Sequence, residues 1–268
     1  MKSGQERKDY WNQKYYEYWK SRVDESGGDI HESQIIHGDA KTEDDDVYES
    51  IFEGYPFNPG TLLEVGCAWG RMFNIYKKYG VSIYGVDISS AMIAAAKSTY
   101  SKDDQIKDMQ ESEAENVPYD PDFFDNVCCI ATFDSTFQIK SLREFLRVLK
   151  IGGKLYLTGK SSNYYADDQL SLDAEMGARS KNHPNFFTDL PAMMKMLASR
   201  KHKVLASYYF PRRGDFGKNN YFREIPENFY EWFLIIEKGS GEIDFEEFST
   251  PISRTLQQVH PELEEKKP

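Results

Sequence analysis

The sequence predicts an α/β fold built on a mostly parallel sheet, and three observations carry that expectation. Leu62-Leu63-Glu64-Val65 is an apolar run suited to a buried strand; it breaks at a turn bounded by Gly66 and Gly70 and resumes from Arg71 to Tyr79 with helical apolar spacing. About twenty residues after the turn, Ile83-Tyr84-Gly85-Val86 makes a second short apolar strand that ends in the carboxylate of Asp87. Strand-like runs then keep alternating with helical ones: a helix from Ser89 to Tyr100, a strand from Asn126 to Phe133, a helix from Ser141 to Leu149 and a strand from Leu155 to Gly159.

The turn and the acid point to a nucleotide-like ligand. A strand feeding a glycine turn and a helix brings bare backbone close to such a ligand, and Gly66 and Gly70 lack the Cβ that would obstruct it. A dinucleotide fingerprint needs glycine at the first, third and sixth positions, but Gly66, Ala68 and Arg71 stand there. No Gly-Lys-Ser or Gly-Lys-Thr follows, which excludes a P-loop. Asp87 fits an acid that accepts both ribose hydroxyls; the competing reading is an N-cap for the next helix.

Glu64-Val65-Gly66-Cys67-Ala68-Trp69-Gly70, with Asp87 after it, resembles motif I and the following acidic strand end of the class I S-adenosylmethionine-dependent methyltransferases, in particular those acting on small molecules. Ala68 stands where a third glycine is common. The resemblance runs on through Ile151. Ser112-Glu113-Ala114-Glu115-Asn116-Val117-Pro118-Tyr119 is similar to the family's acid-Ala-Glu-x-x-Pro-aromatic segment, and Arg147 to Gly153 to its motif III, with Ile151 in place of the usual proline.

The resemblance implies a Rossmann-like, doubly wound, seven-stranded, mostly parallel sheet with helices on both faces and the last strand antiparallel. Val204 to Phe210 and Tyr230 to Ile236 supply the sixth and seventh strands. It implies S-adenosyl-L-methionine as cofactor and S-adenosyl-L-homocysteine as product. Glu64, Gly66, Cys67, Ala68 and Gly70 would wrap the methionine part, and Asp87 with Ile88 the ribose side. Met92 would neighbour the adenine, Glu113 its amino group and the Ala114 backbone its ring nitrogen; Ile130 would face the cofactor from the end of the fourth strand. Core packing for Met92 and a bland acidic loop for Glu113 are the competing readings.

From Asp9 to Glu25, Tyr10, Trp11, Tyr15, Tyr18, Trp19 and Arg22 recur at helical spacing. Two readings are open: an amphipathic helix lying on the main domain, or a lid in which Tyr10, Trp11 and Tyr15 cover the sulfonium through cation–π attraction and Arg22 holds the methionine carboxylate. The expected organisation is an N-terminal helical cap over residues 1–55, a core over 56–238 with an acceptor-side insertion at about 161–187, and an acidic, loosely attached tail over 239–268.

Composition narrows the partners. The net charge of −11 and the pI of about 5.1 repel polyphosphates, so no nucleic-acid partner is expected. The sequence has neither a membrane-spanning apolar run nor a signal-peptide pattern, so a cytoplasmic protein without a membrane partner is expected. Cys67, Cys128 and Cys129 have no metal-ligand spacing and read as reduced thiols.

These features favour a small-molecule acceptor, methylated on O or N; a sugar or nucleotide-sugar is suggested by the tyrosines expected on the acceptor side and by Arg212 and Arg213, which could clamp a phosphate. RNA or protein methylation, and cofactor binding without catalysis, are the alternatives. His183, followed by Pro184, is the candidate general base, with a structural hydrogen bond to a loop carbonyl as the competing reading. Asp134 is a candidate to orient the acceptor or bind a metal.

Overall fold

The structure, a computed structural model, describes residues 5–14 and 44–263. Seven strands form one sheet: β1 (Thr61–Val65), β2 (Ser82–Asp87), β3 (Ile106–Glu111), β4 (Phe124–Cys129), β5 (Leu149–Lys160), β7 (Lys203–Phe210) and β8 (Glu231–Glu237), in the order β3-β2-β1-β4-β5-β8-β7. The first five are parallel to one another, and β8 runs antiparallel to both β5 and β7. This is the expected doubly wound arrangement, with the reversed strand inserted one place in from the edge.

Side chains alternate across a strand, so a sheet covered on both faces needs apolar residues at consecutive positions. Leu62, Cys128, Tyr156, Phe233 and Ile235 enter one core, while Leu63, Val127, Cys129, Leu155, Leu157, Leu234 and Ile236 enter the other. The first core is closed by Val47, Tyr48, Ile51 and Phe52 of α2 (Asp44–Gly54), by Phe73 and Tyr76 of α3 (Phe73–Lys77) and by Ile93 and Ala96 of α4 (Ser90–Thr99). The second is closed by Leu142, Phe145 and Leu146 of α5 (Gln138–Val148) and by Leu190, Met193 and Leu197 of α7 (Leu190–Ser199). The remaining helix of the cap, α1, spans residues 5–14.

Several boundaries differ from the sequence expectation. α1 begins before Asp9; the rest of the expected helix, with Tyr15 and Arg22, lies outside the described residues. β3 reads as no apolar alternation because it is an edge strand with most of its side chains partly exposed. The turn expected at Lys150–Lys154 is a bulge inside a twelve-residue β5: Phe124 pairs with Leu149 but Asn126 with Lys154, and Gly152 takes φ +78° to make the detour. The stretch expected as an insertion, about 161–187, contains α6 (Gln169–Ser180), capped by the Asp168 carboxylate.

The C-terminal stretch is packed rather than loosely attached. β9 (Ser249–Thr250) pairs with β6 (Phe187–Thr188), and Ile252 and Leu256 of the stretch leading into α8 (Arg254–Val259) are buried with Tyr164, Leu172, Phe187 and Tyr230. Phe245 and Phe248 join the second core. Among the described residues no helix is long and apolar enough to cross a membrane.

Candidate active site

Both cavities that concern function open at the carboxyl ends of the parallel strands, where such sheets bind ligands. The first lies over the turn after β1. Gly66 takes φ +77° and Ala68 φ +49°, and the Gly66 and Cys67 N–H groups donate to Val86 O at 2.8 and 3.1 Å. Only glycine fits at position 66, because a Cβ there would sit 2.3 Å from Thr132 Oγ1. Asp87 ends β2 beside the turn: Oδ2 accepts the Ala68 N–H at 2.9 Å and Oδ1 the Ser89 N–H at 2.8 Å. Burial pushes its carboxyl up to about 6 despite those two donors. The cap of α4 is Ser89, whose hydroxyl accepts the Met92 N–H, so Asp87 is not the N-cap.

This first cavity is narrow, about 90 Å³. It gathers Trp11, Gly66, Ala68, Asp87, Ile88, Met92 and Ala114 from the expected cofactor set. The other expected members among the described residues point elsewhere. Glu64 is buried behind the turn, where its Oε1 accepts the Tyr76 hydroxyl at 3.1 Å and burial raises its carboxyl to about 8. Cys67 packs against Gly85 and Phe73, Gly70 lies under Tyr100 and Phe73, and Ile130 is in the first core. The Glu113 side chain turns outward to Arg7, at 3.6 Å.

A residue without a sequence signal, Arg7, lines the same cavity. Arg7 of α1 is 3 % exposed; its Nη1 donates to Glu115 Oε1 at 2.8 Å and its guanidinium stacks on Phe137 at 4.3 Å. α1 is fastened across the cavity by Asn12, whose Oδ1 accepts the Ser89 hydroxyl at 2.8 Å and the Ala91 N–H at 3.3 Å, and by a Lys8–Glu111 ion pair.

The second cavity, of about 590 Å³, meets the first at Ala131, which lines both. Tyr10 and His183 face it, with His183 Nδ1 and the Tyr10 hydroxyl 3.0 Å apart. Tyr10 is thus on the far side of Ala131 from the turn. Trp11 touches both groups, packing edge-on against the His183 ring at 5.2 Å.

A buried charge network forms another wall of this cavity. Lys160 Nζ, at the end of β5, lies 3.2 Å from Asp134 Oδ2, 3.1 Å from Glu175 Oε1 and 3.2 Å from Asn185 Oδ1. Burial works to lower the Lys160 pKa, but Glu175, Tyr230 and Asp134 outweigh it and hold the ammonium well above the usual lysine range. The Tyr230 hydroxyl donates to Glu175 and accepts Arg213 Nη1 at 3.0 Å. Asp134 therefore serves this ion pair, and among the described residues no group of three or more His, Cys, Asp or Glu could hold a metal. The expected arginine clamp is divided: Arg213 lines the cavity, while Arg212 is turned to Asp167 at 2.9 Å and over the Tyr165 ring. The one sequence signal for Lys160 was its place at the carboxyl end of a parallel strand.

The residues present suit an adenosyl ligand. Asp87 carries a carboxylate into the narrow cavity, and three buried polar atoms at its edge, Arg7 Nε and Nη2 and Glu115 Oε2, have no hydrogen-bond partner among the described residues.

Comparison with known proteins accords with this geometry. A family model described as a methyltransferase domain matches residues 63–157. The YcgJ protein from Bacillus subtilis is 18 % identical, with a TM-score of 0.54 over 73 % of this chain and 99 % of its own. Magnesium protoporphyrin IX methyltransferase from Synechocystis PCC 6803, solved with bound S-adenosylhomocysteine, is 14 % identical, with a TM-score of 0.56 over 88 % of this chain and 99 % of its own. The [4+2]-cyclase SpnF is 17 % identical, with a TM-score of 0.61 over 90 % of this chain and 98 % of its own. No curated protein matches the sequence. Residues 63–157 thus match a methyltransferase domain, and the sheet that carries them has the fold of these solved structures.

Proposed function

We propose that this methyltransferase acts on an O or N atom of a small polar metabolite seated in the 590 Å³ cavity, with His183 as general base. The observation that carries the reading is the junction at Ala131, where the cavity beside the glycine turn meets one walled by Lys160, Asp134, Glu175, Arg213 and His183. A wall of paired charges suits a polar guest, and a cavity of this volume suits a small one.

The cofactor supplies an activated methyl group on a sulfonium, so the chain mainly has to align donor and acceptor and, for a hydroxyl acceptor, remove its proton. Asp87 accepts the ribose hydroxyls, and the open backbone at Gly66 and Ala68 admits the methionine arm. His183, steadied by the Tyr10 hydroxyl and the Trp11 ring, takes the acceptor proton as the new bond to carbon forms. The sugar-phosphate reading keeps Arg213 alone as its anion contact, since Arg212 is engaged by Asp167.

A fold shared with a cyclase does not fix the reaction, so the test reads transfer directly. Incubation with methyl-labelled S-adenosylmethionine and a metabolite extract should put label into a small polar product, read by mass spectrometry. For a hydroxyl acceptor, His183→Ala should lower that rate by about 10²–10⁴ with S-adenosylhomocysteine affinity unchanged. Label confined to protein or RNA would refute the acceptor class, and an unchanged rate would remove His183 from the mechanism.

A further inference from the structure

Arg7 and Glu115 form an unfinished hydrogen-bonding pair at the edge of the narrow cavity. Both side chains are over nine-tenths buried, at 4 % and 6 % exposure. Each has one well-made set of contacts that fixes it. Arg7 Nη1 donates to Glu115 Oε1 at 2.8 Å and to Ser135 O at 3.3 Å; Glu115 Oε1 also accepts the Phe137 N–H at 2.6 Å. That leaves Arg7 Nε and Nη2 as buried donors, and Glu115 Oε2 as a buried acceptor, without partners. The Glu113 carboxylate is 3.6 Å from Arg7 Nη2, an ion pair but too long for a hydrogen bond. Burying such groups unsatisfied is costly, so a ligand that completes them gains affinity.

The complement of one fixed donor group beside one fixed acceptor is a ligand edge that offers both. The adenine edge does so, with an exocyclic amine to donate and ring nitrogens to accept. Ala114, Ile88 and Met92 line the same cavity. We propose that Arg7 and Glu115 read the adenine edge of the cofactor, a role the sequence pattern gives to Glu113, whose side chain is turned out of the cavity. Cofactor recognition then depends on α1, because Arg7 belongs to the cap and not to the sheet. The inference rests on S-adenosylmethionine being the cofactor.

The test is calorimetric binding of S-adenosylhomocysteine and of S-inosylhomocysteine, in which a carbonyl oxygen replaces the amine. Against the Glu115 carboxylate that oxygen is repelled, so the unaltered protein should prefer the adenine compound by about tenfold or more. Glu115→Gln keeps the acceptor for the Phe137 N–H and offers an amide N–H to the carbonyl, so the preference should narrow to under about threefold. Glu113→Gln should leave it unchanged. Arg7→Met should weaken S-adenosylhomocysteine binding about tenfold, with folding checked by circular dichroism; the Glu115 result stands even if that variant misfolds. The proposal is overturned if Glu113→Gln narrows the preference and Glu115→Gln does not, or if folded Arg7→Met binds as before. Failure of the unaltered protein to take up S-adenosylhomocysteine overturns the cofactor assignment itself, and is seen before any variant is made.

Discussion

If Asp87 takes the ribose diol as proposed, cofactor affinity depends on pH in a calculable way. Its carboxyl is held at about 6 by burial, and a diol donating to both oxygens is matched by the ionised form, whose two oxygens are both acceptors. At pH 5 about one molecule in eleven has the carboxylate, against more than nine in ten at pH 7.5, so S-adenosylhomocysteine should bind about tenfold more weakly at the lower pH. Stability of the ligand-free protein runs the other way. A folded pKa above the unfolded value of 3.8 means the native state holds the proton more tightly. Between those two values stability therefore falls as pH rises, by at most about 1.4 kcal/mol per pH unit.

Asp87→Asn removes the ionisation and sets an amide N–H against the backbone N–H of Ala68 or Ser89. Losing a charged hydrogen bond costs about 1.5–3 kcal/mol, or roughly 10- to 150-fold in affinity, and the pH slope should vanish with it. Titration calorimetry from pH 5 to 7.5 on both proteins measures these quantities. A flat profile for the unaltered protein, or a slope that survives in the variant, would refute the assignment of Asp87 to the ribose.

Two further outcomes concern the scaffold. Glu64, held at about 8 by burial against a usual 4.5, carries its proton at neutral pH, so it too loses the protein stability as pH rises between those values. Glu64→Gln preserves the acceptor for the Tyr76 hydroxyl and cannot ionise; urea unfolding should find it similar at pH 5 and more stable by about 1 kcal/mol or more at pH 8, and an equal loss in both proteins would count against it. Leu256→Ala should cost about 2–5 kcal/mol, because the residue is fully buried with Tyr164, Phe187 and Tyr230; a change under about 0.5 kcal/mol would mean the C-terminal stretch is not part of the core.

What could be read from the sequence was what local chemistry dictates. The glycines of the turn and the acid at the end of β2 each follow from a few neighbouring residues, and both stand where expected. β3 was illegible because an edge strand needs no apolar alternation, and the C-terminal packing because Phe245, Phe248, Ile252 and Leu256 are scattered without period among charged residues. The network around Lys160 joins residues from Asp134 to Tyr230, which only the fold brings together. Glu113 and Glu115 are two residues apart and alike in chemistry, and both pair with Arg7; Glu115 is further held by the Phe137 N–H, and a lone arginine at position 7 carries no pattern.

Ala131 holds a left-handed backbone, φ +50°, at the residue shared by both cavities, its N–H tied to Thr158 Oγ1 at 2.6 Å. A β-branched residue resists that conformation, and on the proposed reading a change there reaches donor and acceptor chambers together. Selectivity for a new acceptor therefore cannot be tuned at this position without disturbing the donor as well. The separable handles lie farther out, on α6 and around Arg213, where a change in the guest's surroundings leaves the glycine turn untouched.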